Sequence, residues 1–156
     1  LFKADLRYAN FSESNLSEAI LSRTHLTRAD LSGAVLFEAN VSRAYLSSAN
    51  LSEANLIRAR FIGANLSDAD LSDSAMYEAD FTGAGLSRVD LSRADLPDAV
   101  LYKADLRGAD LSKARPFRAD LRYANLSDAE LVEADLRGAD LTKADLSGAV
   151  LPNESF

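Results

Sequence analysis

The sequence predicts an all-β solenoid that runs through the whole chain of 156 residues. Three observations support this fold class. Leu recurs with a period of five residues, Ala recurs two residues before it, and the residue type just after Leu repeats every twenty residues. No insertion interrupts the pattern. A short repeat over the full length is typical of solenoids, in which each unit packs only on its neighbours.

Each five-residue unit has a small, a second, a central, a fourth and a fifth position, in that order. The central position is Leu in 25 of 32 units, the small position is Ala in 26 of 31, and the second is Asp or Asn in 19 of 31. A helix turns by about 100° per residue, so it would spread these Leu over its whole surface. In an extended segment, Ala and Leu share one face and the second residue points away. The unit is therefore predicted to be a three-residue strand followed by a corner.

The fourth and fifth positions have the composition of a corner. Six of the seven Gly occupy the fifth position, and Pro97 and Pro152 occupy the fourth. Pro followed by a residue that tolerates positive φ is the signature of a type II turn. Pro116 lies at a central position, where we expect it to remove one backbone donor from the pairing between coils.

The fourth position indicates how many units form one coil. Ser12, Ser32, Ser52, Ser72, Ser92 and Ser112 form one series with a period of twenty residues. Four units per coil are therefore expected, which gives a square coil. At ~4.8 Å per coil, nearly eight coils would make a rod roughly 37 Å long.

On these in-phase units, from Leu1 to Phe156, the chain resembles the pentapeptide repeat family. The resemblance implies a right-handed quadrilateral β-helix (a β-solenoid) of about eight coils of four pentapeptides. It implies a single domain over residues 1–156, with the central and small side chains inside.

Composition excludes several classes of function. The net charge is −7, the opposite sign from a general nucleic-acid binder, so we predict no direct nucleic-acid binding. With no Cys and one His, neither thiolate nor His-rich metal sites can form, and we predict no metal and no cofactor. No apolar run is long enough to span a membrane. Because the first residue is Leu1 rather than Met, we expect that a preceding segment was removed.

The sequence does not predict an enzyme. Ser and Asp are the default residues of the fourth and second positions, so their presence beside His25 does not indicate a hydrolase triad. We interpret His25 as a surface or turn-bonded histidine. Stacked carboxylates such as Asp70 and Asp90 fit acid–base work or a cation site, but also an ordinary ladder of solvated carboxylates, which we favour. The Gly residues are too scattered for a phosphate-binding loop.

Two of the four faces of the predicted rod have opposite charge. The acidic face carries nine carboxylates and two cations, and its candidate partner-binding residues are Asp30, Glu53, Asp70, Asp73, Asp90, Asp110 and Glu130. The basic face carries seven cations and three carboxylates; the cations are Lys3, Arg23, Arg43, Arg60, Lys103, Arg122 and Lys143.

A third face carries large apolar residues at the fourth position on five successive coils. This apolar stripe, a second candidate binding surface, consists of Phe37, Ile57, Tyr77, Pro97 and Phe117. Either the side chains stack on one another and stiffen the corner, or they mediate lateral association with a second copy or another protein. Neighbouring charges are expected to form a polar rim, namely Glu38, Arg58, Glu78, Asp98 and Arg118.

We therefore predict a non-enzymatic structural or protein-binding scaffold with an unidentified protein partner and weak self-association. The alternative is a DNA mimic that binds and modulates DNA gyrase, because some members of the family present an acidic rod in place of duplex DNA. Binding of ice or mineral by the Ser series is a third, less favoured hypothesis.

Overall fold

The computed structural model describes residues 1–152. The backbone repeats one bridged residue at the second position and a two-residue turn at the fourth and fifth positions. Within this range there is no helix and no strand longer than one bridged residue. Of the predicted three-residue strand, the middle residue forms the bridge, and the small and central residues supply the backbone groups that bond across it. The final residues of the predicted domain, including Phe156, lie outside the described range.

Parallel bridges join residues twenty positions apart, from Asp5 with His25 to Glu130 with Val150. This confirms the predicted period and the four units per coil. Hydrogen bonds between coils surround each bridge. The His25 N–H donates to the Ala4 carbonyl at 2.9 Å, and the Leu6 N–H donates to the His25 carbonyl at 2.7 Å. From Lys3 to Asp128, a third bond links each fifth-position N–H to the fourth-position carbonyl of the next coil.

Each corner is closed by a bond from the small residue to the central residue three positions earlier, as in Ala34 N–H to Leu31 carbonyl at 3.0 Å. The fifth residue has positive φ in every described unit, as a type II turn requires, although only six units place Gly there. A non-glycine residue in this conformation costs about 1–2 kcal/mol. The bond that its N–H makes to the next coil, and the burial of Leu beside it, offset this cost.

The core is a continuous column of central and small side chains. Those from Leu21 to Leu136 are buried, which confirms the predicted interior. Phe61 and Phe81 stack with ring centroids 4.9 Å apart. Thr24, a polar residue at a small position, is buried and donates its hydroxyl to the Leu21 carbonyl at 2.6 Å. Among the described residues no buried side-chain N or O atom lacks a hydrogen-bond partner.

Pro116 interrupts the pairing locally, as the sequence predicts. The bridge between Arg115 and Asp135 is missing from an otherwise regular series. Proline has no N–H, so the bond that position 116 would donate to the Asp135 carbonyl cannot form. The other half of the pair remains, with the Asp135 N–H 2.9 Å from the Ala114 carbonyl. Pro116 thus removes one hydrogen bond between coils and leaves the other bond of the pair in place.

Candidate functional site

The Asp and Asn side chains at the second position hold the corners. Their Oδ1 atom accepts a hydrogen bond from the fourth-position N–H two residues later, as in Asp70, which accepts from the Ser72 N–H at 2.9 Å and from the Ser72 hydroxyl at 2.6 Å. Among the described Asp and Asn at this position, only Asp95 lacks the backbone bond, because Pro97 follows it. From the sequence, these residues are predicted only to lie on the outer face of a strand. The spacing Asx-X-Ser, which favours such turns, is the signal for their role in the corner.

Four of the predicted acidic-face residues have this corner role. Asp30, Asp70, Asp90 and Asp110 are half-buried, and each accepts the N–H of the Ser two residues later at 2.8–3.0 Å. Bonds from the Ser32 hydroxyl and N–H hold the pKa of Asp30 below its ordinary value. These carboxylates therefore stabilise the fold and also present charge to solvent through their second oxygen.

The predicted carboxylates lie on one surface. Bridges place Asp70 beside Asp90, Asp90 beside Asp110, and Asp110 beside Glu130. Glu53 and Asp73 occupy fifth positions on the same face and are exposed.

Two carboxylates of this face form ion pairs. The Arg93 guanidinium donates to both Asp73 carboxylate oxygens at 2.8 and 2.6 Å and lowers the pKa of Asp73. Lys113 lies 3.9 Å from Glu133. The remaining carboxylates of the face form no ion pair within residues 1–152; they are Glu13, Asp30, Glu53, Asp70, Asp90, Asp110 and Glu130. The face therefore keeps its negative charge after its internal pairs have formed.

The apolar stripe lies in register along the coils. Hydrogen bonds between coils involve the backbone of the stripe residues; for example, the Glu38 N–H donates to the Ile57 carbonyl at 3.0 Å. Tyr77 and Phe117 are 42% and 38% exposed, whereas Phe37, Ile57 and Pro97 are half-buried. The aromatic ring pairs among residues 1–152 lie elsewhere, at positions 25 and 45, 61 and 81, and 102 and 123. Ring stacking within the stripe therefore does not account for it.

The charges beside the stripe pair with one another. Arg58 lies between Glu38 and Glu78, at 3.0 and 3.1 Å. Arg118 pairs with Asp98 at 3.0 Å in the same way. Glu78 also raises the pKa of the Tyr77 phenol through a hydrogen bond and its charge. The predicted rim charges thus lie beside one another, and all five take part in ion pairs within the molecule.

His25 lies on the surface beside Tyr45. Its ring is exposed and stacks on Tyr45, with centroids 4.6 Å apart. Within residues 1–152, no three His, Asp or Glu side chains are grouped so that they could hold a metal ion. Nor does that part of the chain contain a helix of the length and apolarity needed to cross a membrane.

The sequence match to a family extends over nearly the whole described chain. A family model described as pentapeptide repeats, present in eight copies, matches residues 4–43, 39–83, 75–112 and 117–152. The chain belongs to the pentapeptide repeat family. The resemblance seen in the sequence is thereby confirmed, and the interior of Leu and Ala is the one that it implied. The comparison with curated protein sequences gives no match.

Solved structures of the family are similar to this chain. HetL, a pentapeptide repeat protein involved in heterocyst differentiation regulation from the cyanobacterium Nostoc sp. strain PCC 7120, is 36% identical. The match covers 99% of this chain and 84% of HetL, with a TM-score of 0.56. A pentapeptide repeat protein from the Arabidopsis thaliana thylakoid lumen is also 36% identical, over 60% of this chain and 66% of its own, with a TM-score of 0.58.

QnrB1, a plasmid-mediated fluoroquinolone resistance protein, is a more distant neighbour. It is 20% identical over 97% of this chain and 79% of its own, with a TM-score of 0.56. At this identity the likeness shows the fold alone.

Proposed function

We propose that this pentapeptide repeat chain is a non-enzymatic scaffold that binds a protein partner through its acidic face. The observation that carries the proposal is the set of seven carboxylates on that face without an ion-pair partner in residues 1–152. Fixed charges on a rigid surface attract a basic partner and orient it. The Asp and Asn side chains at the corners accept hydrogen bonds from the backbone and from Ser hydroxyls. Because these groups stabilise the fold, the surface is suited to binding rather than to catalysis.

The proposed scaffold is one domain over residues 1–156, a right-handed quadrilateral β-helix of about eight coils of four pentapeptides. The parallel bridges with a period of twenty residues support the four-unit coil. Membership of the family supports the handedness and the square cross-section.

Substitution by Asn provides a clean test of the acidic face. Asn occupies the second position naturally at Asn50, where its Oδ1 accepts the Ser52 N–H at 3.0 Å, so the fold should tolerate it. We expect D70N/D90N/D110N to lose most binding to a partner captured by the wild type, because three charges are removed and the corner bonds are kept. The matched control is D5N/D105N/D145N on a neighbouring face, which should bind like the wild type. Equal binding by both variants would remove the acidic face from the proposal.

The second candidate is the gyrase-directed DNA mimic, which the row of Asp70, Asp90, Asp110 and Glu130 favours electrostatically. We rank it below the scaffold, and we expect added protein to leave gyrase supercoiling and quinolone-poisoned cleavage unchanged. Inhibition by the wild type that is lost in D70N/D90N/D110N would reverse this ranking.

We also propose that the apolar stripe mediates weak self-association. Its rim charges are paired internally, so desolvating this side costs less than desolvating the unpaired carboxylates of the acidic face. Sedimentation at high protein concentration should show a dimer that F37S/Y77S/F117S abolishes. The control F2S/I62S/Y102S removes three apolar fourth-position residues from the basic face and should still dimerise. A monomeric wild type, or a dimer that survives the first variant, would exclude the stripe as the interface.

A further inference from the structure

An open cavity lies on the edge between the basic face and the next face along the coil. Lys3, Arg23, His25, Arg43 and Tyr45 line it, and its volume is about 540 Å³. Lys3, Arg23 and Arg43 are fifth-position residues on three successive coils, and His25 and Tyr45 are the second-position residues beside them. We call this cavity the basic groove.

The cations of the basic groove differ from most others in the molecule. Of the 13 Arg in the chain, nine form ion pairs within residues 1–152. The four that form none there are Arg23, Arg28, Arg43 and Arg60. Two of these line the groove together with Lys3, so three positive charges follow one another at the coil spacing and form no ion pair within residues 1–152.

The surroundings of the groove do not supply the missing negative charge. Asp5, on the neighbouring face, is held by Arg7 through two hydrogen bonds of 2.8 and 2.7 Å. This contact lowers the pKa of Asp5 to about 2. The negative charge of Asp5 is therefore already balanced by Arg7. At the level of the groove, the basic face presents the uncharged Ile20 and Asn40 at its second positions.

The groove is open along the rod. On the two coils beyond Arg43, the fifth position of this face is occupied by Gly63 and Gly83. A Cβ atom added at Gly83 would have no atom of a non-adjacent residue within 4 Å. On the other side, the rings of His25 and Tyr45 stack on each other, with centroids 4.6 Å apart, and together form one wall of the groove. An elongated ligand can therefore lie along the coil axis against this wall.

We propose that the basic groove binds a triphosphate chain. The long side chains of cations on coils ~4.8 Å apart can converge on the phosphoryl groups of one triphosphate, and the guanidinium fork of Arg matches the geometry of phosphate oxygens. The volume lies within the range of small-molecule sites. Inorganic tripolyphosphate and nucleoside triphosphates share this chemistry, and in the second case the rings of His25 and Tyr45 would lie beside the base.

Isothermal titration of the full chain with sodium tripolyphosphate, and separately with ATP, tests the proposal at low ionic strength. We expect R43S to weaken tripolyphosphate binding about fivefold, because one charge-assisted contact is lost, and R23S/R43S to abolish it. Ser is compatible with this position, since Ser48 has the same positive φ of 55°. Thermal unfolding of each variant checks that the fold is kept. Y45N should weaken ATP alone if the base contacts the rings, and should affect neither ligand if only the phosphates bind; both results are consistent with the proposal.

The matched control is R28S, which also removes one unpaired fifth-position Arg, but from a different edge. It should bind tripolyphosphate like the wild type. Absence of binding by the wild type, or equal weakening by R28S and R43S, would overturn the proposal. A single-stranded oligonucleotide that binds more tightly than tripolyphosphate, and that K103S weakens as much as R43S does, would also overturn it in favour of a nucleic-acid track along this edge.

Discussion

The acidic face and the face that carries the apolar stripe share one interior but build their corners differently. On the acidic face, six successive coils have Asp or Asn at the second position and Ser at the fourth, and in all six the side-chain oxygen caps the Ser N–H. On the stripe face, the second position before the aromatic residues Phe37, Tyr77 and Phe117 is Val35, Ala75 and Arg115. None of these three side chains can cap a corner as Asp or Asn does.

The fold requires a buried interior but permits different corners on its two faces. The central residues of both faces are buried from Leu31 to Leu136, and the same bonds between coils form behind both, except for the one that Pro116 cannot donate on the stripe face. A corner can lose its side-chain cap and carry an aromatic ring without any change in the twenty-residue period. The surface residues can therefore vary while the interior stays constant.

The largest expected effect tests whether the interiors of the two faces are equivalent. Ala69 behind the acidic face and Ala94 behind the stripe are both buried, at 2% and 0% exposure. A69L and A94L should each lower the free energy of unfolding by about 1–3 kcal/mol, since the narrow column has no room for a larger side chain. Urea denaturation measures both. Unchanged stability would mean that the small position does not face the core, and a large difference between the two would mean that the faces differ inside as well as outside.

A smaller effect is expected from exchanging the corner caps. N50A removes the acceptor of the Ser52 N–H and hydroxyl bonds, of 3.0 and 2.7 Å, and should cost about 1 kcal/mol. Ala75→Asn makes the reverse change on the stripe face and should stabilise by up to about 1 kcal/mol, because the Tyr77 N–H gains an acceptor. N50D keeps the acceptor and is the control, with both variants compared at 1 M salt to screen the added charge between Asp30 and Asp70. If N50A and N50D are equally stable, the side-chain oxygen does not hold the corner.

The sequence was sufficient to predict the repeat unit, the buried positions, the twenty-residue coil and the missing donor at Pro116. These features depend on residue type at fixed spacing, which a sequence states directly. It did not reveal that second-position Asp and Asn cap the corners, because the outward direction of a strand residue says nothing about its partner. Nor did it reveal the basic groove. Arg93 forms an ion pair with Asp73, whereas Arg23 forms none within residues 1–152. This difference depends on which charge lies one coil away and on side-chain geometry.

The smallest expected effect distinguishes the electrostatics of the two faces. The Ser32 hydroxyl and N–H lower the pKa of Asp30 on the acidic face, whereas the Arg137 guanidinium is the main cause of the lowered pKa of Asp135 on the stripe face. A carboxyl whose pKa is lower in the folded state stabilises fully above its unfolded pKa, about 3.9, and this contribution is lost as the pH falls below that value. D30N and D135N should each flatten the acid side of the stability–pH curve, by less than about 1 kcal/mol. Salt at 1 M should remove much of the D135N difference, because it screens the exposed ion pair, and should leave that of D30N largely intact. Equal salt sensitivity of the two differences, measured by urea denaturation between pH 2 and 6, would show that both carboxylates act through long-range charge rather than through these contacts.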